Sequence, residues 1–132
     1  MNQTITQTVN AAGCDVGIYV NVSGVTITGS TISGANDEAI LAEGAAGLTI
    51  SSNTISGNGV SPNKAIPDEH TVTLDGVSSA AVTGNTITNN NGGGIGVADN
   101  GPVDPGAPNP GPGTAVTSSN DVISSNTLMG NT

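Results

Sequence analysis

The sequence predicts an all-β solenoid, a parallel β-helix of about 23 residues per coil with roughly four to five coils and two inserted loops. Three observations predict it: a phrase that recurs along the chain, strict alternation inside that phrase, and a composition that permits only a slender core. The phrase reads "GVTITGSTISGA" at 24–35, "GLTISSNTISGN" at 47–58 and "AAVTGNTITNNN" at 80–91.

The first strand of each coil is marked by the column Ile27, Ile50, Val82 and Ile123, whose members are 23, 32 and 41 residues apart. The second is marked by Val9, Ile32, Ile55, Ile87 and Leu128, at steps of 23, 23, 32 and 41. The third carries two aliphatic columns, Ile18, Ile40, Val72 and Ile95, and two positions on Val20, Ala42, Leu74 and Val97. The longer steps are therefore the basic one plus nine and plus eighteen residues, which are the two loops. They fall near 59–69, in "GNGVSPNKAIPDEH", and near 98–120, in "ADNGPVDPGAPNPGPGTAVTSSN".

Triplets such as Thr54, Ile55, Ser56 and Thr86, Ile87, Thr88 have the two-residue period of short strands, with Gly or Asn between them as turn residues. A helical reading would place 20 glycines and many β-branched residues where each Gly costs about 1 kcal/mol. Stacked strands bury their apolar side only against neighbouring coils, so the whole of 1–132 forms a single solenoid segment. The first repeat begins in mid-coil and the last stops at "NTLMGNT", so the expectation is a piece of a longer chain, or end-to-end stacking with further coils or another copy.

Composition narrows the partners. Ten acidic residues face one basic one, Lys64, and the net charge of −9 lacks the cationic footprint that nucleic acid or an anionic membrane needs. No run of eighteen apolar residues exists, so membrane insertion is not expected either. The one cysteine, Cys14, excludes an internal disulfide, and Tyr19 is the one aromatic side chain.

The phrases "NTISGN", "NTITNN" and "NTLMGN", followed in the solenoid by strands such as "GIYV" and "GIGV", resemble those of the right-handed parallel β-helix repeat proteins, the pectate-lyase-like superfamily. The resemblance implies a right-handed coil and a choice between polysaccharide lyases, hydrolases or epimerases and non-catalytic surface proteins. The expectation is an exported or cell-surface scaffold, extracellular in location, contacting a polysaccharide or surface glycan. A polysaccharide-active enzyme is the alternative, and an ice-binding threonine face the third.

Asn53, Asn85 and Asn126, with Ser30, share a turn column, where amides bond up the stack and to the turn backbone; this is a structural ladder. Thr8, Thr31, Thr54, Thr86 and Thr127 form an outward column, the feature behind the ice-binding reading. Both loops border the third strand, and the titratable groups gather there. Glu43 and Asp75 share a column in successive coils, which holds two carboxylates about 5 Å apart. That spacing suits glycosidic cleavage with retention, His70 or Lys64 assisting. The same two carboxylates could equally chelate Ca²⁺ with loop oxygens from Asp99 or Asn100, Asp104 being the other metal candidate on that loop; no other cofactor is expected. Tyr19, Glu38, Asp68 and Glu69 would line the groove, with Glu38 beneath His70 by the 32-residue step.

Overall fold

A computed structural model describes residues 2–60, 70–99 and 117–132. Among these residues fourteen strands and no helix are present, and every strand pairs in parallel. In chain order they are β1 (Gln3–Ile5), β2 (Thr8–Asn10), β3 (Ile18–Val20), β4 (Val25–Thr28), β5 (Thr31–Ser33), β6 (Ile40–Glu43) and β7 (Thr49–Ser51). There follow β8 (Thr54–Ser56), β9 (His70–Asp75), β10 (Ala81–Thr83), β11 (Thr86–Thr88), β12 (Gly93–Ala98), β13 (Val122–Ser124) and β14 (Thr127–Met129).

Every third strand pairs with the next of its kind, which is the topology of a coil wound on itself. The first sheet runs β1-β4-β7-β10-β13, the second β2-β5-β8-β11-β14, and the third β3-β6-β9-β12. The repeat columns are the pairing register: Ile27 faces Ile50 and Ile50 faces Val82, while Ile32 faces Ile55 and Ile55 faces Ile87. In the third sheet Ile18, Ile40, Val72 and Ile95 align, as do Val20, Ala42, Leu74 and Val97.

The reason is local. Alternation in Thr-Ile-Ser triplets turns one aliphatic residue per strand inward, and the turn after it redirects the chain within one or two residues. Corners at Ser52 and Asn89 take φ of 56° and 55°, a left-handed bend that a short polar side chain can adopt. Ile27, Ile32, Ile50, Ile55, Val72, Leu74, Val82 and Ile87 are fully buried in one continuous core. Each such side chain contributes about 2 kcal/mol of transfer free energy, so strength comes from stacking many small cores rather than one wide one.

Two amide ladders run through the corners. Asn53 Oδ1 accepts from Ser30 N–H, Asn85 Oδ1 from Asn53 N–H and Asn126 Oδ1 from Asn85 N–H, at 2.8, 3.0 and 2.9 Å. Five residues further on, Asn58, Asn90 and Asn131 do the same for Ala35, Asn58 and Asn90, at 3.1, 3.0 and 3.1 Å.

The coil reaches further into both insertions than the sequence suggests. Gly59 N–H donates to Ala35 O at 2.9 Å, so 59 still lies on the stack. β12 includes Ala98, and Ser119 already bridges Ser78 in parallel, which narrows the second insertion at both margins.

Candidate functional site

The third sheet positions four of the titratable side chains singled out in the sequence, Tyr19, Glu43, His70 and Asp75. Alternation about the inward Ile40 and Ala42 turns Leu41 and Glu43 outward on β6, and in the same way Tyr19, Thr73 and Asp75 outward on β3 and β9. One outer column is Tyr19, Leu41, Thr73 and Gly96; the next is Glu43, Asp75 and Ala98. The expected adjacency of Glu43 and Asp75 is thus a direct pairing in register.

Outward direction does not make this face open. Leu41 is buried, and Glu43 is only 7% exposed. The Tyr19 hydroxyl donates to Glu43 Oε2 at 2.5 Å, a charge-assisted bond that satisfies part of a carboxylate withdrawn from water. The bond also fixes the phenol ring of Tyr19, a residue that remains 39% exposed. Asp75 beside the pair is half-buried.

His70 enters the same face from the start of β9. Its ring lies over the glycines of β12: a Cβ on Gly96 would stand 2.5 Å from Nδ1, and one on Gly93 2.6 Å from Cδ2. Glycine at these two positions makes the shelf on which the imidazole rests. The backbone carbonyl of His70 accepts from the Thr73 hydroxyl at 3.3 Å. Tyr19, Glu43, Asp75 and His70 therefore share one face, while Glu38 sits half-buried at the corner before β6, its carbonyl accepting from Gly17 N–H at 3.0 Å.

Asp99 follows Ala98 at the margin of the second insertion, where its Oδ1 accepts from Ser118 N–H at 2.9 Å and orders the re-entry into the coil. Lys64, Asp68, Glu69 and Asp104 lie outside the described residues. Among the described residues no three His, Cys, Asp or Glu side chains gather as they would around a metal ion.

Sequence reasoning passed over two features. The second amide ladder follows the same 32- and 41-residue steps as the first, from Asn58 to Asn90 to Asn131, so the signal was present. The shelf of Gly93 and Gly96 carried none, because nothing in "GGGIGV" says which ring will lie on it.

Fold and face together define a parallel β-helix solenoid with one polar, partly covered sheet. The model of the right handed beta helix region family matches residues 2–132, and the chain belongs to that family, which makes the coil right-handed. No curated protein and no solved structure matches the chain. Membership of this family fits a scaffold or a carbohydrate-related protein.

Proposed function

We propose that the protein is a non-catalytic scaffold, exported or displayed at a cell surface, whose third sheet contacts carbohydrate through Tyr19. The carrying observation is the Tyr19–Glu43 bond: it holds an exposed aromatic ring in one orientation, the rigid apolar surface on which a sugar ring stacks. Asp75 and His70 on the same face offer an acceptor and a donor to sugar hydroxyls. The same bond weighs against catalysis. A retaining hydrolase needs both carboxyl groups to reach the scissile bond, yet Glu43 is buried, with one of its oxygens turned to the phenol.

A panel of insoluble and soluble polysaccharides, in pull-down and affinity electrophoresis, tests the reading. Binding of at least one is expected, weakened in Tyr19→Phe, which keeps the ring but removes its bond to Glu43, and lost in Tyr19→Ala; the absence of any bound glycan would overturn it. Release of reducing ends that disappears in Glu43→Ala and Asp75→Ala would replace the scaffold with an enzyme. Protease shaving of intact source cells checks the location.

A second reading has its own observation. Thr8, Thr31, Thr54, Thr86 and Thr127 align in register on the second sheet and all five are exposed, giving a flat, uncharged array of hydroxyl and methyl groups. Such a regular surface can order water as ice-binding faces do. Thermal hysteresis abolished by Thr54→Tyr would support it, and its absence in the unmodified protein would end it.

A further inference from the structure

Two Asn-Gly steps, Asn58-Gly59 and Asn91-Gly92, lie one rung apart at the corner that follows the second sheet. Asn58 is in register with Asn90 of the next rung, so the steps are offset by one residue. That offset gives them opposite environments. Asn58 is buried in the ladder: its Oδ1 accepts Ala35 N–H at 3.1 Å, its Nδ2 donates to Asn90 Oδ1 at 2.9 Å, and Gly59 N–H is committed to Ala35 O at 2.9 Å. Asn91 is exposed, and its Nδ2 donates across the rungs to Gly59 O at 3.0 Å. Its own rung is flanked on both sides, with Asn91 N–H donating to Asn58 O at 2.9 Å and Asn90 O accepting Thr132 N–H at 3.0 Å.

We infer that Asn91 is a site of spontaneous deamidation, and that its acidic products loosen the corner leading into β12. The Gly92 nitrogen, having lost its proton to hydroxide, attacks Asn91 Cγ and closes a succinimide ring. The Cγ–Nδ2 bond breaks, and Nδ2 takes up a proton and leaves as ammonia. Water then adds to either ring carbonyl, giving aspartate or isoaspartate at 91. Glycine in second place favours the closure, because no Cβ crowds the attacking nitrogen. The exposed Asn91 side chain turns from Gly59 O towards Gly92 without disturbing the core, whereas Asn58 must first leave the ladder, which requires local unfolding. Both products then act on the corner. A carboxylate oxygen in place of Nδ2 sets two acceptors against each other at Gly59 O. Isoaspartate also adds a methylene to the main chain just before β12, where Gly93 lies under the ring of His70.

Peptide mapping by mass spectrometry, with enzymatic methylation to mark isoaspartate, follows the intact protein as it ages in neutral to mildly alkaline buffer. Conversion is expected at least about tenfold faster at Asn91 than at Asn58, and the rate should rise with pH because the attacking nitrogen must lose its proton. The same chain held unfolded in guanidinium chloride should convert at both positions at similar rates, since each is then an Asn-Gly step in open chain. Asn91→Gln, whose cyclisation needs a larger and slower ring, should stay intact at 91. Asn91→Asp, which carries one product from the start, should unfold at a lower urea concentration than the parent and exchange its 93–98 amides faster.

Equal rates at Asn58 and Asn91 in the folded protein would overturn the site. So would an Asn91 that stays intact in the folded protein while the unfolded chain converts, because the bond to Gly59 O would then protect it. An Asn91→Asp protein with the parent's urea midpoint and exchange rates would overturn the loosening of the corner.

Discussion

Asn53 and Asn85 stand 32 residues apart, and the side-chain amide of the first donates to Oδ1 of the second at 2.9 Å. The same Oδ1 accepts Asn53 N–H at 3.0 Å, while Asn85 Nδ2 donates to Ile50 O at 2.9 Å. One buried amide thus satisfies groups on two neighbouring coils. Replacing Asn85 with Ala orphans two donors and one acceptor inside the stack, each worth about 1–3 kcal/mol. Asn85→Ala is expected to destabilise by about 3 kcal/mol in urea unfolding, and Asn126→Ala, at the partly open end, by visibly less. Equal losses would mean that the ladder adds little beyond packing.

Thr71 presents the opposite situation. It is buried, and its Oγ1 has no hydrogen-bond partner among the described residues. An unsatisfied hydroxyl costs about 1–3 kcal/mol, whereas a methyl of similar volume has no such demand. Thr71→Val is therefore expected to raise stability by about 1 kcal/mol, read as a higher urea midpoint at unchanged slope. A lower midpoint would show that the hydroxyl finds a partner in solution.

The core columns give a position-dependent prediction. Ile55 is fully buried between Ile32 and Ile87, so Ile55→Ala removes about three carbons from a closed stack and should cost about 3–4 kcal/mol. Leu128 belongs to the same column but is 49% exposed, and Leu128→Ala should cost less than about 1.5 kcal/mol. A ratio near one would contradict a core formed rung by rung.

The architecture was legible because stacking turns sequence distance into spatial identity. Once the nine and eighteen extra residues are set aside, Ile32, Ile55 and Ile87 fall into line, and the observed register follows that line residue for residue. The pairing of Glu43 with Asp75 came from the same arithmetic. What arithmetic cannot supply is the environment outside the coil. Glu43 reads as a groove carboxylate, yet it is buried, as is its outward neighbour Leu41, and the Tyr19 hydroxyl reaches Glu43 on a diagonal between strands that no column spacing encodes. Likewise the ring of His70 rests on β12 because Gly93 and Gly96 leave room, a fact of side-chain direction rather than of period.

Two glycines in left-handed corners separate backbone strain from crowding. At Gly44, with φ of +61°, an added Cβ would meet nothing within 4 Å among the described residues, whereas at Gly59, with φ of +73°, it would stand 2.2 Å from the carbonyl oxygen of Asn91. Gly44→Ala should therefore carry only the left-handed penalty, about 1–2 kcal/mol, in keeping with Ser52 and Asn89 occupying that region elsewhere in the coil. Gly59→Ala adds a collision with backbone that cannot rotate away. Its Cβ would also press on the contacts in which Asn91 N–H donates to Asn58 O at 2.9 Å and Asn91 Nδ2 to Gly59 O at 3.0 Å. A loss of at least about 3 kcal/mol is expected for Gly59→Ala, with faster exchange of the Asn90 and Asn91 amides. If both alanine variants unfold at the same urea concentration, the close approach of the two corners is not a constraint on the fold.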